Sequence, residues 1–255
     1  MTKIEEKVKS IKKTDFNIDP KEMAQAGVHF GHRISRIHPK MKPYLWGARN
    51  GVHIIDLQQT AEKLSEALSF IRQLVSENKI ILLVGTKVQF KEIVKDMAEV
   101  CGFPYVAERW LGGTFTNLDT ILKRVRYFKD LEKKVAEGEI EKYTKKEQAD
   151  IKEELQALKI KFEGIRNLTQ LPDAIFVLDM KKDYLAVKEA RMKNVKVIGI
   201  CDTNVDPTLA DYPIPANDDA ISSVKYILEK VKEVVLKSKS RPKSEKETEK
   251  ESKKE

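Results

Sequence analysis

Three short, almost wholly apolar runs limit what this chain can become: KIILLVG (79–85), DAIFVLD (173–179) and VKVIGIC (195–201). Each is too short for a helix of ordinary length, and none alternates apolar with polar residues as a strand with one wet face does. A strand that is apolar on both faces needs cover on both. The intervening segments supply it. Leu64, Leu68, Ile71 and Val75 fall on one side of a helix predicted over 58–77, and further helices are predicted over 88–101 (stopped by Gly102) and 181–193. Asn217 opens a last helix with Ile221, Val224, Ile227, Leu228 and Val231 as its apolar stripe. Strand–helix alternation of this kind predicts an α/β fold with a parallel sheet covered on both faces. Val52–Leu57 and Pro104–Ala107 read as further strands, Tyr212–Pro215 as an edge segment because of its prolines, and Lys21–Ala26 as a short helix after Pro20.

The stretch from Leu118 to Leu168 breaks the alternation. Leu118, Ile121, Val125, Phe128 and Val135 recur at steps of three and four, with Glu132 interrupting; Ile151, Leu155, Leu158, Phe162 and Ile165 do so without a break. That period is the seam of a coiled coil. Gly138 and the polar run to Gln148 turn one arm into the other, so a helical hairpin is predicted, each arm roughly 30 Å long at about 1.5 Å per residue. The expected organisation is a basic extension (1–19), a discontinuous α/β domain (20–117 and 169–236), the hairpin insertion (118–168) and a charged tail (237–255). Ile4, Val8 and Ile11 give the extension a helical spacing that suits either a partner's surface or disorder; the tail lacks apolar residues other than Pro242 and is expected to be disordered when free.

Charge is distributed unevenly. The formal net charge is +8, yet residues 1–50 alone hold eleven Lys and Arg against five Asp and Glu, so the basic excess lies outside the α/β body. Between Glu22 and Asp56 there is no carboxylate; the window holds Arg33, Arg36, Lys40, Lys42 and Arg49, all four histidines (His29, His32, His38, His53), and Phe30, Tyr44 and Trp46. Its glycines and prolines predict an ordered loop. Cations without nearby anions suit phosphates, and the aromatics suit either base stacking or bracing of the loop.

Chemistry is sparse. Gly85-Thr86-Lys87 lacks the spacing of a phosphate loop, no GxGxxG follows a strand, and His29-x-x-His32 has no further zinc ligands. The strand ends carry Asp179, Asp202, Asp206, Asp218 and Asp219, which would repel an anionic ligand; they read as turn and cap residues, with a Mg²⁺ site as the alternative. Cys101 and Cys201 have no metal or redox spacing and are expected to be buried, reduced thiols. No signal peptide or membrane span is visible, so a soluble intracellular protein is expected.

Several motifs, in order, carry a resemblance: Gly27-Val28-His29-Phe30-Gly31-His32, Pro39-Lys40-Met41-Lys42-Pro43, Gly47-Ala48-Arg49-Asn50-Gly51-Val52-His53, Val84-Gly85-Thr86-Lys87, Arg109-Trp110-Leu111-Gly112-Gly113, Leu171-Pro172-Asp173-Ala174, Asp202-Thr203-Asn204 and Asn217-Asp218-Asp219-Ala220. Over roughly 20–235 the chain resembles the bacterial small-subunit ribosomal protein S-two family. The resemblance implies a flavodoxin-like sheet with a coiled-coil hairpin and a structural role in translation within the small (30S) subunit. The implied partners are small-subunit (16S) ribosomal RNA and neighbouring proteins, including the mRNA-binding S-one protein. It implies no enzymatic activity, cofactor, small-molecule substrate or membrane. The chain departs from the family pattern at Arg33–His38, before Pro20 and in its tail. The expected RNA contacts are Arg33, Arg36, Lys40, Lys42 and Arg49 in the loop, Lys123, Arg124 and Arg126 at the hairpin base, Lys145 and Lys146 at its tip, and Arg109 and Trp110 between strand and hairpin. Trp110 reads equally as a packing residue of the hinge.

Overall fold

The computed structural model describes residues 16–239. The expectations for the extension before Phe16 and for the tail beyond Lys239 lie outside the described residues. The body begins earlier than residue 20: Ile18 is buried in the core, and Phe16 lies under the Arg72 guanidinium, 5.3 Å from ring centroid to Cζ.

Two sheets form. The first is small and antiparallel, from β1 (Phe30–Arg33), β2 (Leu45–Arg49) and β3 (Val52–Ile55), in the order β1-β3-β2. This corrects two expectations, because the carboxylate-free window is not a loop and Val52–Ile55 does not join the parallel sheet. The missed signal is Asn50-Gly51. Both residues have positive φ, 50° and 76°, which is what a tight hairpin turn demands and what Asn-Gly accommodates best. A 3₁₀ helix, Pro39–Tyr44, connects β1 to β2.

The second sheet is parallel and has five strands: β4 (Ile81–Val84), β5 (Tyr105–Val106), β6 (Ala174–Val177), β7 (Lys196–Cys201) and β8 (Tyr212–Pro215), in the order β5-β4-β6-β7-β8. Numbered within that sheet, this is the 2-1-3-4-5 order of flavodoxin-like folds. β8 lies at an edge, where Pro213 and Pro215 forfeit no ladder bond needed by a further strand. All residues of β4 and β6 are buried, as their unbroken apolar runs require.

Among the described residues the α-helices are, in chain order, α1 (Pro20–Gln25), α2 (Leu57–Ser76), α3 (Lys91–Cys101), α4 (Leu118–Ala136), α5 (Lys145–Phe162), α6 (Tyr184–Met192) and α7 (Ile221–Lys239). One face of the sheet, through Ile81, Leu83, Phe176, Ile198 and Ile214, packs with apolar residues of α2, α3 and α7. Ile221, expected in the stripe of α7, is half exposed; the helix buries Val224, Ile227, Leu228 and Val231. The opposite face, through Leu82, Val84, Ile175, Val177 and Val197, packs with α6, with Ile121, Val125 and Phe128 of α4, with Phe162 at the end of α5 and with Ile165 just beyond it. The hairpin is therefore rooted in the core. Both cysteines are buried and free.

The seam of α4 differs from the predicted one in a single residue. Leu131 is buried where the strict repeat would use Glu132, and Glu132 instead pairs with Arg166 at 2.8 Å. A straight helix drifts against a seven-residue repeat, and one step of three in place of four restores contact. In α5 the outer seam residues Ile151, Leu155 and Leu158 are half-buried, while Phe162 at its end and Ile165 in the following 3₁₀ turn are buried. Thr144 and Glu147 close a capping box at the start of α5.

Entry into the hairpin is fixed by one carboxylate. Glu189 of α6 is 4% exposed and accepts from the N–H groups of Gly113 (2.8 Å), Phe115 (2.9 Å) and Thr116 (3.2 Å) and from the Trp110 indole (3.2 Å). Burial opposes its charge, but those donors hold its pKa below the usual range. A depressed carboxyl stabilises the fold above the unfolded pKa of about 4.3 and loses that contribution as pH falls through the folded value. Glu189→Ala is expected to cost ~3 kcal/mol, because it strands several buried donors at once. Hydrogen exchange at the Gly113, Phe115 and Thr116 amides checks this, and unchanged protection there contradicts the anchoring role.

Candidate nucleic-acid interface

The antiparallel arm attaches to the C-terminal rim of the parallel sheet. The His32 amide donates to Thr203 Oγ1 (3.0 Å), and the His38 amide to the Thr203 carbonyl (2.8 Å). A Cβ on Gly31 would fall 2.4 Å from Thr203 Cγ2, so only glycine allows this approach. The Asn217 amide donates to the Val28 carbonyl at 3.0 Å. From the other side of the arm, Met41 is fully buried in the same apolar cluster that holds the base of the hairpin. Arm and hairpin thus share one root.

The rim itself lies where open α/β sheets place ligands, at the switch point between β4 and β6. Here it is filled by the chain. The Thr86 amide and hydroxyl both donate to Asp183 (3.2 and 2.8 Å). Lys87 Nζ lies 2.8 Å from Asp179, 2.9 Å from Asp218 and 2.8 Å from Asp219. Burial works against the Lys87 charge, yet the surrounding carboxylates raise its pKa. One ammonium does not neutralise three acids. Asp218 is pushed up to about 7 by burial and by the charges of Asp179 and Asp202.

Next to this network His32 Nδ1 is 3.0 Å from Asp202 Oδ2, and His32 Nε2 is 2.8 Å from Asn204 Nδ2. The hydrogen bond to Asp202 raises the His32 pKa against burial. Among the described residues, His32, Asp202 and Asp219 form the set whose ligand-type atoms lie close enough, within 4.8 Å, to hold a metal ion. Imidazole with carboxylates is a donor set that suits several divalent metals.

The predicted RNA contacts separate into three groups. Arg33, Arg36, Lys42 and Arg49 on the arm, Arg109 at the hinge, and Lys123, Arg124, Arg126, Lys145 and Lys146 on the hairpin are all exposed. Among the described residues none of these ten takes part in an ion pair within 4 Å. Arg109 borders a groove of about 180 Å³ between β5 and α5, lined also by Lys95, Lys159 and Lys161. Lys40 stands apart. It binds Asp206 (2.7 Å) and Thr208 (2.8 Å), and with the Thr208 donors it holds the Asp206 pKa at about 2 despite some burial. Its charge is already spent inside the molecule.

For Trp110 the RNA-contact reading is corrected and the hinge-packing reading holds. Trp110 is 6% exposed, bonded to Glu189 and edge-on to Phe115 with centroids 5.0 Å apart, so it packs the hinge and cannot stack on a base.

A flavodoxin-like body whose ligand crevice is plugged by its own side chains, and which carries exposed, unpaired cations on an arm and on a hairpin, defines a basic scaffold protein for a polyanion. The family model described as Ribosomal protein S2 matches residues 23–238, and the chain belongs to that family. The family is one of structural, non-enzymatic proteins, and the chain is a structural protein of the small ribosomal subunit that binds ribosomal RNA and acts in translation. No described helix is long and apolar enough to cross a membrane.

The rim makes a pH-dependent prediction. A carboxyl with a raised folded pKa keeps a proton that the unfolded chain releases, so stability falls as pH rises from about 4 to the folded value near 7. Lys87→Met is expected to cost ~3 kcal/mol at pH 8, where it leaves buried charges uncompensated, and clearly less at pH 5, where Asp218 holds its proton. Urea melts at both values test this; equal losses would contradict it.

Proposed function

We propose that this chain holds small-subunit ribosomal RNA with two basic surfaces growing from one core. The arm contributes Arg33, Arg36, Lys42 and Arg49. The hairpin and its hinge contribute Lys123, Arg124, Arg126, Lys145, Lys146 and Arg109. The supporting observation is the contrast in pairing: Lys40, Lys87, Lys91 and Lys196 are matched by carboxylates, whereas these ten cations are not. Exposed cations without partners gain most from phosphates, through released counterions. Such contacts follow backbone and shape more than sequence. Lys40 braces the arm, and Trp110 braces the hinge.

Neighbouring small-subunit proteins, the mRNA-binding S-one protein among them, fit a different surface. Tyr184, Leu185 and Met192 of α6 are 51%, 45% and 61% exposed. Exposed apolar residues clustered on one helix suit a protein neighbour better than RNA. The working place of the chain is then the assembled ribosome of the cytoplasm.

Sedimentation of a lysate tests the reading. The protein should comigrate with small subunits and be released by ribonuclease or high salt; nuclease-resistant association would favour a protein-only adaptor. Replacing Arg33, Arg36 and Arg49 together by Ala should lower the magnitude of the salt-dependence slope of RNA binding by about 3, at ~0.9 for each phosphate contact on duplex RNA treated like B-DNA. An unchanged slope removes the arm from the interface.

A further inference from the structure

Strand register arranges the solvent side of the small sheet in two rows. Phe30, Ile54 and Gly47 lie side by side across β1, β3 and β2, and Arg33, Val52 and Arg49 form the next row. His53 and Ile55, which alternate with Val52 and Ile54 on the central strand, are buried beneath. In the first row the Phe30 ring is 49% exposed and leans on the His29 ring, with centroids 4.0 Å apart. A Cβ on Gly47 would meet nothing within 4 Å, so the surface beside Ile54 is open to a flat group. In the second row two exposed arginines flank Val52, two strand spacings or about 9.6 Å apart.

Such a face needs an occupant that is both flat and anionic. The window around it carries no carboxylate from residue 23 to residue 55. An acidic protein surface would satisfy the arginines but would have no need of a bare ring beside an open floor. A duplex would present phosphates but hides its base faces in the stack.

We infer that the solvent side of this sheet is a stacking platform for unpaired RNA bases. Phe30 takes a base against its ring, Ile54 and Gly47 provide the floor, and Arg33 and Arg49 hold the phosphates on either side. The inference rests on the RNA-binding reading above and adds to it that this surface takes single-stranded RNA.

Fluorescence anisotropy with the full chain tests it, using a short labelled oligouridylate, a short oligoadenylate and a duplex RNA of similar length. Phe30→Ala should weaken single-strand binding about tenfold, the size of one lost base–aromatic stack. Phe30→Tyr should restore it, and duplex binding should be unchanged in both. Val100→Ala, which removes a comparably exposed apolar side chain from α3, should do nothing. Because the Phe30 ring is half exposed, the variant is expected to melt at the native temperature, which is checked in parallel. If Phe30→Ala leaves single-strand affinity unchanged while the protein still binds RNA in a salt-dependent way, the platform is overturned and the broader reading stands. If Phe30→Ala instead abolishes binding of a ribosomal protein and leaves oligonucleotide affinity intact, the face belongs to a protein and the inference fails. Absence of any RNA binding at low salt overturns both.

Discussion

The Glu189 carboxylate is the interaction on which the architecture turns. A charge buried to that extent survives only if its hydrogen bonds are nearly complete. Three main-chain N–H groups, an indole and the Thr116 hydroxyl complete them, and all five belong to the segment that leads into the hairpin. Gly113, at φ 91°, makes the bend that lets its amide and those of Phe115 and Thr116 converge on one side chain. α4 begins two residues later, so its direction is inherited from this cluster. The apolar contacts of Ile121, Val125 and Phe128 then hold the arm against the sheet.

The acidic rim has the opposite logic. Flavodoxin-like topology creates a crevice at the β4/β6 switch point. In this chain the crevice is closed by Thr86 on Asp183 and by Lys87 among three aspartates. The remaining negative charge is used next door: Asp202 and Asp206 receive His32 and Lys40 of the arm. The body's carboxylates thus hold the inner side of the arm, while Arg33, Arg36, Lys42 and Arg49 remain unpaired on its outer side. A net charge of +8 hides this division, which is a spatial sorting of charge across one small sheet.

Much of this was legible in the residues, and the misses have identifiable causes. The unbroken apolar strands, the edge position of Tyr212–Pro215 and the two helical arms follow from periods and breakers, which are local properties. The glycines and prolines of the arm suggest a loop, but Asn50-Gly51 is a hairpin turn signal with a strand on either side. A strict seven-residue repeat points to Glu132, and the helix does not keep that repeat, so Leu131 is the buried residue. Local sequence cannot separate Lys40 from the cations around it, nor choose between stacking and packing for Trp110. Their partners, Asp206 and Glu189, lie 166 and 79 residues away in the chain.

By itself the sequence determined the kind of sheet, the presence of a hairpin and the concentration of cations outside the body, because hydrophobic period and charge spacing act over a few residues. Only the tertiary structure decided which cations stay free, which aromatic ring faces solvent and why the crevice is closed. Those outcomes depend on which distant carboxylate comes to rest beside each donor, and chain separation carries no record of that distance until the core has formed.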